Sequence, residues 1–229
     1  MEQLKLLPGN SAAHPVVRPS SARKRKSIVD ERRIIARLKE RDEKAFTELV
    51  QLHKSKIFSL CFRMLNNRAE AEDIAQDTFV RAFLAINSFR GDSQLGTWLY
   101  RIALNLCKNR IKYHARRKRG HHRALDGVDA SERSIERQAD LWGSGPMSER
   151  SPQPDEILEG RRAQSRVALA LSQVEPAFRT LLVLRDVQGL PYDEIKSITR
   201  LPIGTVKSRL HRARHALKRA YDALGDEVA

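Results

Sequence analysis

At 229 residues and 41% hydrophobic content, the chain is long enough to pack one large domain or two small ones, which excludes a wholly disordered protein. Its 43 Lys+Arg against 28 Asp+Glu give a formal net charge of +15, which disfavours an acidic or neutral partner and puts nucleic acid ahead of a membrane surface or a ribosomal setting. Two cysteines, Cys61 and Cys107, each inside an apolar helical pattern, exclude a disulfide framework or a four-cysteine zinc site, and no stretch approaches the roughly 20 apolar residues of a membrane span. The first residues lack an apolar signal core, so a cytoplasmic protein is expected.

Residues 1–27 carry Pro8, Pro15, Pro19 and the run Arg23-Lys24-Arg25-Lys26 without hydrophobic periodicity, and read as a disordered basic tail. Over 28–117 apolar residues recur at helical spacing, broken chiefly at Asn66-Asn67 and from Phe89 to Ser93, which predicts a compact helical domain. Within it, a helix from Glu70 to Ile86 places Ala75, Phe79, Ala82, Phe83 and Ile86 on one stripe, the core face. Asp73, Gln76, Asp77, Val80 and Leu84 group on the other side, and this acidic, amide and aliphatic patch in a basic chain suits a protein partner. A second account of the same acids is stabilisation of their own helix dipole, and periodicity does not separate the two.

The next helix, Thr97 to Tyr113, presents Trp98, Arg101, Asn105, Lys108, Asn109 and Lys112 on one side and Tyr100, Ala103, Leu104, Cys107 and Ile111 on the other. Aromatic, amide and basic residues on a single face fit single-stranded or melted DNA, in which bases stack on rings while cations hold the backbone. The polar loop from Phe89 to Gly96 can wall a pocket for an extruded base. Trp98 is equally well placed as a core anchor.

Residues 118–156 turn to His121-His122, Gly143, Gly145, Pro146, Pro152 and Pro154 with few core formers, the composition of a flexible linker. A second helical domain follows over 157–225, with breaks at Pro176, Gly189 to Pro191 and Pro202 that divide it into about four helices. The segment from Pro191 to Pro202 reads as a short helix and tight turn, with Pro202 in the first turn of the following helix. In that last helix Val206, Leu210, Ala213 and Leu217 form a burying stripe, while Lys207, Ser208, His211, Arg212 and His215 project opposite. Thr205 and Arg209 flank that second face near the helix start. A helix-turn-helix with basic and hydroxyl residues near the start of its second helix can enter a major groove. Lys207, Arg209, Arg212, Arg214, Lys218 and Arg219 crowd this helix with no acid among them, unlike the mixed signs of an ordinary solvated face. Neither domain shows the alternation of a sheet, so the expected fold class is all-α, two small helical domains joined by a linker.

No Ser-His-Asp or Cys-His arrangement, phosphate-binding glycine loop or metal-ligand spacing emerges, and neither catalysis nor a cofactor is expected. A recombinase would need a sheet-bearing catalytic domain. The strongest rival is an operator-binding helix-turn-helix regulator of the response-regulator kind, which would need a phosphate-accepting α/β domain and no Asp73-Gln76-Asp77 patch.

Three stretches together resemble the sigma-70 family, and specifically its short extracytoplasmic-function members: Asp73 to Phe79, Gly96 to Asn105, and Tyr192 to Ile195 with Pro202 to Arg214. The resemblance covers about 45–113 and 168–221. It implies a factor that binds bacterial RNA polymerase core, directs it to promoters and promotes melting. Asp73, Gln76 and Asp77, with Val80 and Leu84 on the same face, would meet the clamp helices of the largest subunit. Trp98, Arg101, Asn105, Lys108, Asn109 and Lys112 would lie on the side that captures the melted minus-10 element. Thr205, Lys207, Ser208, Arg209, His211 and Arg212 would read the minus-35 duplex, and residues 178–185 would sit near the polymerase flap. The family also implies an anti-sigma partner. Leu95 and Gly96 stand where members often carry Phe and a polar residue, the linker is long for the family, and the basic tail is an addition.

Overall fold

The computed structural model describes residues 31–121 and 165–226; the basic tail and nearly all of the linker lie outside the described residues. The first unit begins with α1 (residues 31–39), followed by α2 (Glu43–Leu65), α3 (Arg68–Ala85), a 3-10 turn at Ile86–Ser88 and α4 (Leu95–His121). Asp42 starts α2 by accepting from the amides of Lys44 and Ala45, while Arg37 of α1 bonds the same carboxylate at 2.8 Å and Glu48 at 3.1 Å. Asn66 ends α2 in the left-handed conformation and Asn67 caps α3 through the Glu70 amide at 3.0 Å, so two adjacent asparagines make a tight corner. The start of α4 is capped across the fold, where the Glu31 carboxylate accepts from the Leu95 amide.

Helices α2, α3 and α4 pack on one another as a three-helix bundle. Leu49, Ile57, Leu60 and Met64 of α2, Ile74 and Phe79 of α3, and Leu99, Ala103 and Leu104 of α4 are buried between them. The α3 stripe behaves as its spacing predicts: Ala75, Phe79, Ala82 and Ile86 are buried and Phe83 is half-buried, its ring tilted against that of Phe46 with centroids 4.9 Å apart. Helix α4 runs to His121, past residue 118 where the composition places the start of the linker, because Lys and Arg tolerate a helix well and composition alone marks its end poorly.

The second unit contains α5 (residues 165–173), α6 (Pro176–Leu182), α7 (Tyr192–Thr199) and α8 (Ile203–Asp226). Pro176 opens α6 at its first turn, and α6 continues into a wider π turn at Val183–Val187. Arg200, at φ 60°, closes α7. Pro202 precedes α8 as its cap and accepts from the Val206 amide at 2.9 Å; it does not sit inside the first turn, a shift of one residue from the sequence reading. Val206, Leu210, Ala213 and Leu217 are buried against α6 and α7, in agreement with their predicted stripe. No described residue forms a strand.

The two units touch. Helix α7 packs on α4, while α6 and its π turn pack on α2, so the buried apolar residues of both units form one continuous cluster.

Candidate nucleic-acid interface

On α3 the residues Asp73, Gln76, Asp77, Val80 and Leu84 are all exposed, Val80 at 53% and Leu84 at 65%. The dipole account of the acids now fails on position. The cap is Asn67, and the first-turn acid is Glu70, which is turned inward to His114 at 2.7 Å and Arg110 at 3.4 Å of α4. Asp73 and Asp77 stand beyond that first turn, where the partial charge of the terminus has faded. Two large apolar side chains thus stand in water beside two carboxylates and an amide, an exposed mixed patch on α3.

Along α4, Asn105, Lys108, Asn109 and Lys112 are exposed and recur at i, i+3, i+4 and i+7, so they share one face. Trp98 is half-buried, with its ring 5.1 Å from that of Phe89 at the start of the preceding loop. It is therefore partly the core anchor of the alternative reading, with one flank toward solvent. Arg101 is not free: its Nη2 donates to the Ser197 carbonyl of α7 at 2.9 Å, and its buried Nε lacks a hydrogen-bond partner. Gly96 has a packing reason, since a Cβ there would approach His53 Cε1 to 3.3 Å. Burial, and to a lesser extent Lys56, holds the His53 imidazole below its ordinary pKa, so a neutral ring from α2 lies against the first turn of α4.

On α8, Lys207, Ser208, His211 and Arg212 are exposed, and Thr205 and Arg209 are half-buried. The Ser208 hydroxyl donates back to the Thr205 carbonyl at 3.1 Å, which keeps it at the helix surface. Lys207 lies 5.7 Å from the Tyr192 ring, and the His211 and His215 rings meet edge-on at 4.6 Å. Arg214 belongs elsewhere, because it grips Asp186 through Nη2 at 2.6 Å and Nε at 3.1 Å and ties α8 to the π turn. The acid that pairs with Arg214 is thus supplied by another element. A cleft of about 770 Å³ between α4 and the α7–α8 turn is lined by Arg101, Lys196, Ser197, Arg200 and Pro202.

Sequence reasoning missed the residues that join the units. Arg179, buried on α6, donates to the Met64 carbonyl at 2.7 Å, to the Val174 carbonyl at 3.0 Å and to that of Ser172. Thr97 bonds Glu194 at 3.1 Å and Tyr100 bonds Gln188 at 3.0 Å. Cys61 and Cys107, distant in sequence, are both buried and free, and contact with Cys107, reinforced by burial, pushes the Cys61 thiol up.

Residues 49–117 match the family described as Sigma-70 region 2, and residues 164–217 match Sigma-70, region 4. The ECF RNA polymerase sigma factor SigW of Bacillus subtilis (strain 168) is 35% identical over 185 residues, covering 81% of this chain and 93% of that protein. The RNA polymerase sigma-H factor of Pseudomonas aeruginosa is 33% identical over 207 residues, covering 85% and 95%. The ECF RNA polymerase sigma-E factor of Escherichia coli (strain K12) is 34% identical over 184 residues, covering 80% and 90%. Among solved structures, CnrH in complex with the cytosolic domain of CnrY aligns with a TM-score of 0.56 at 23% identity, over 84% of this chain and 97% of that one. The sigma factor RpoE of Bartonella quintana, in complex with the anti-sigma factor NepR, aligns with a TM-score of 0.56 at 22% identity, over 78% and 98%. These two likenesses concern the fold. With both conserved regions matched in order and relatives above 30% identity along most of its length, the chain belongs to the sigma-70 family, among its extracytoplasmic-function RNA polymerase sigma factors.

Proposed function

We propose that this chain binds RNA polymerase core, directs it to specific promoters and promotes melting of the DNA for transcription initiation. In this reading residues 28–117 form the polymerase and minus-10 domain, 157–225 the minus-35 reader, and 118–156 the connection between them, with 1–27 a basic extension. The exposed α3 face of Asp73, Gln76, Asp77, Val80 and Leu84 docks on polymerase. Asn105, Lys108, Asn109 and Lys112, with Trp98 and Arg101, take the melted strand. Thr205, Lys207, Ser208, Arg209, His211 and Arg212 take the upstream duplex, where phosphate contacts supply affinity and base-edge contacts specificity. The factor carries out no chemistry of its own, needs no cofactor and works in the cytoplasm; no described helix is long and apolar enough to cross a membrane. An anti-sigma protein is a further partner in this reading, as RpoE of Bartonella quintana forms a complex with the anti-sigma factor NepR.

The observation that carries this reading is the α3 face, because two exposed aliphatics beside Asp73 and Asp77 serve neither the core nor the helix dipole. A regulator that works on DNA alone has no use for it. Gel filtration of the full chain with purified bacterial core polymerase tests the proposal. Co-elution at one factor per core is expected, whereas duplex binding without co-elution would identify an operator-binding regulator instead.

A further inference from the structure

Resting on that reading, we infer that Tyr192 is a positioning residue for duplex recognition: its ring, held from the π turn, restrains the Lys207 ammonium for contact with the upstream DNA. Tyr192 opens α7 and is half-buried, while Lys207 stands one turn into α8 and is exposed. Two cations gather on this one ring. The Arg185 guanidinium carbon lies 4.7 Å from the ring centroid and the Lys207 Nζ lies 5.7 Å from it. Arg185 is itself fixed, because its Nη1 donates to the Leu190 carbonyl at 2.8 Å, and the next residue, Asp186, holds Arg214 of α8 at 2.6 Å. The π turn thus grips both the ring and the helix that carries Lys207.

A lysine carries its charge on a flexible four-carbon stem, and ordering that stem against a phosphate or a base edge costs binding free energy. A ring face within about 6 Å attracts the ammonium and narrows its range before DNA arrives. Arg185 has the closer contact with the Tyr192 ring and Lys207 the looser one, so the attraction guides the lysine head group without capturing it. Lys207 makes no ion pair with a carboxylate among the described residues, which leaves its charge available to DNA. Arg209 and Arg212, the other cations of the proposed duplex-reading set, have no aromatic ring to guide them among the described residues. The Tyr192 hydroxyl makes no hydrogen bond among those residues either, so the aromatic face is the part of the side chain that acts.

The test is a double-mutant cycle between Tyr192 and Lys207, read as promoter affinity of the full chain with core polymerase by fluorescence anisotropy. Tyr192→Leu should weaken binding about two- to fivefold, the size of one exposed cation–π contact, while Tyr192→Phe, which keeps the ring, should bind as the unsubstituted chain does. Pentafluorophenylalanine in place of Tyr192 keeps the ring shape and reverses its field, and should behave as Tyr192→Leu. In a Lys207→Ala background none of these changes should matter further. Circular dichroism checks the fold of each variant, and the fluorinated chain decides the question if Tyr192→Leu unfolds. Normal binding by the fluorinated chain would overturn the inference, as would a loss of equal size with and without Lys207, which would mean that Tyr192 acts apart from it. If Lys207→Ala alone costs no affinity, the duplex-reading role of Lys207 fails and the inference falls with it; a cost for Lys207→Ala with none for either ring-disrupting change sinks the inference alone.

Discussion

Arg179 and Met64 lie 115 residues apart in the chain, yet the guanidinium of one donates to the backbone carbonyl of the other at 2.7 Å in a buried setting. Burial holds the Arg179 pKa below its ordinary value, and carbonyl oxygens accept from its two terminal nitrogens while its buried Nε lacks a partner. Removing the guanidinium in Arg179→Met leaves carbonyls of both units without their donor. A loss of about 3 kcal/mol in denaturant unfolding is expected, in line with hydrogen bonds to a charged group.

Arg212 and Arg214 are two residues apart on α8 and are expected to respond differently. Arg212 is exposed on the face proposed to read the duplex, so Arg212→Ala should leave stability unchanged and weaken promoter binding by about 1–3 kcal/mol in a fluorescence titration. Arg214 is spent on Asp186, and the pair is partly open to solvent. Arg214→Ala should cost up to about 1 kcal/mol of stability and leave promoter selectivity intact.

The contact between the two units carries a titratable reporter in Tyr100. Burial, with Glu194 nearby, pushes its phenol up to about 12. The folded chain therefore holds this proton more tightly than the unfolded chain, in which tyrosine titrates near pH 10. The associated stability is complete below about pH 10 and is lost as the pH rises toward 12. Ultraviolet titration should show one of the four tyrosines ionising late, and Arg179→Met should bring that transition to lower pH.

On α3 the double substitution Asp73→Ala with Gln76→Ala touches two exposed side chains. The melting temperature should stay within about 1 °C, since exposed substitutions of this kind change stability little. Affinity for core polymerase should fall at least tenfold in a competition assay against a labelled factor. Normal assembly would remove these residues from the polymerase face.

Much of this architecture is legible because helix faces are written locally. The spacing of Val206, Leu210, Ala213 and Leu217 fixes which side of α8 is buried, and Asn66-Asn67 marks a corner by the cap chemistry of asparagine. The exposed α3 patch and the α4 series from Asn105 to Lys112 follow from the same periodicity. What periodicity does not carry is the identity of a distant partner. Arg101 reads as a free strand contact and is bonded to Ser197; Arg214 reads as part of a basic face and is paired with Asp186; Arg179 gives no signal at all. Cys61 and Cys107 likewise look unrelated until α2 and α4 pack. Each of these depends on how helices meet, and such long-range pairing leaves no repeat in the sequence.

Promoter opening is the claim on which the account stands, and permanganate footprinting of thymines on a promoter from the source genome, with core polymerase and the full chain, measures it directly. The account predicts new single-stranded reactivity around the minus-10 position that needs both core and this chain, and that disappears when Lys108→Ala is combined with Asn109→Ala. Stable binding of the chain to an intact, unreactive duplex in the presence of core would contradict it.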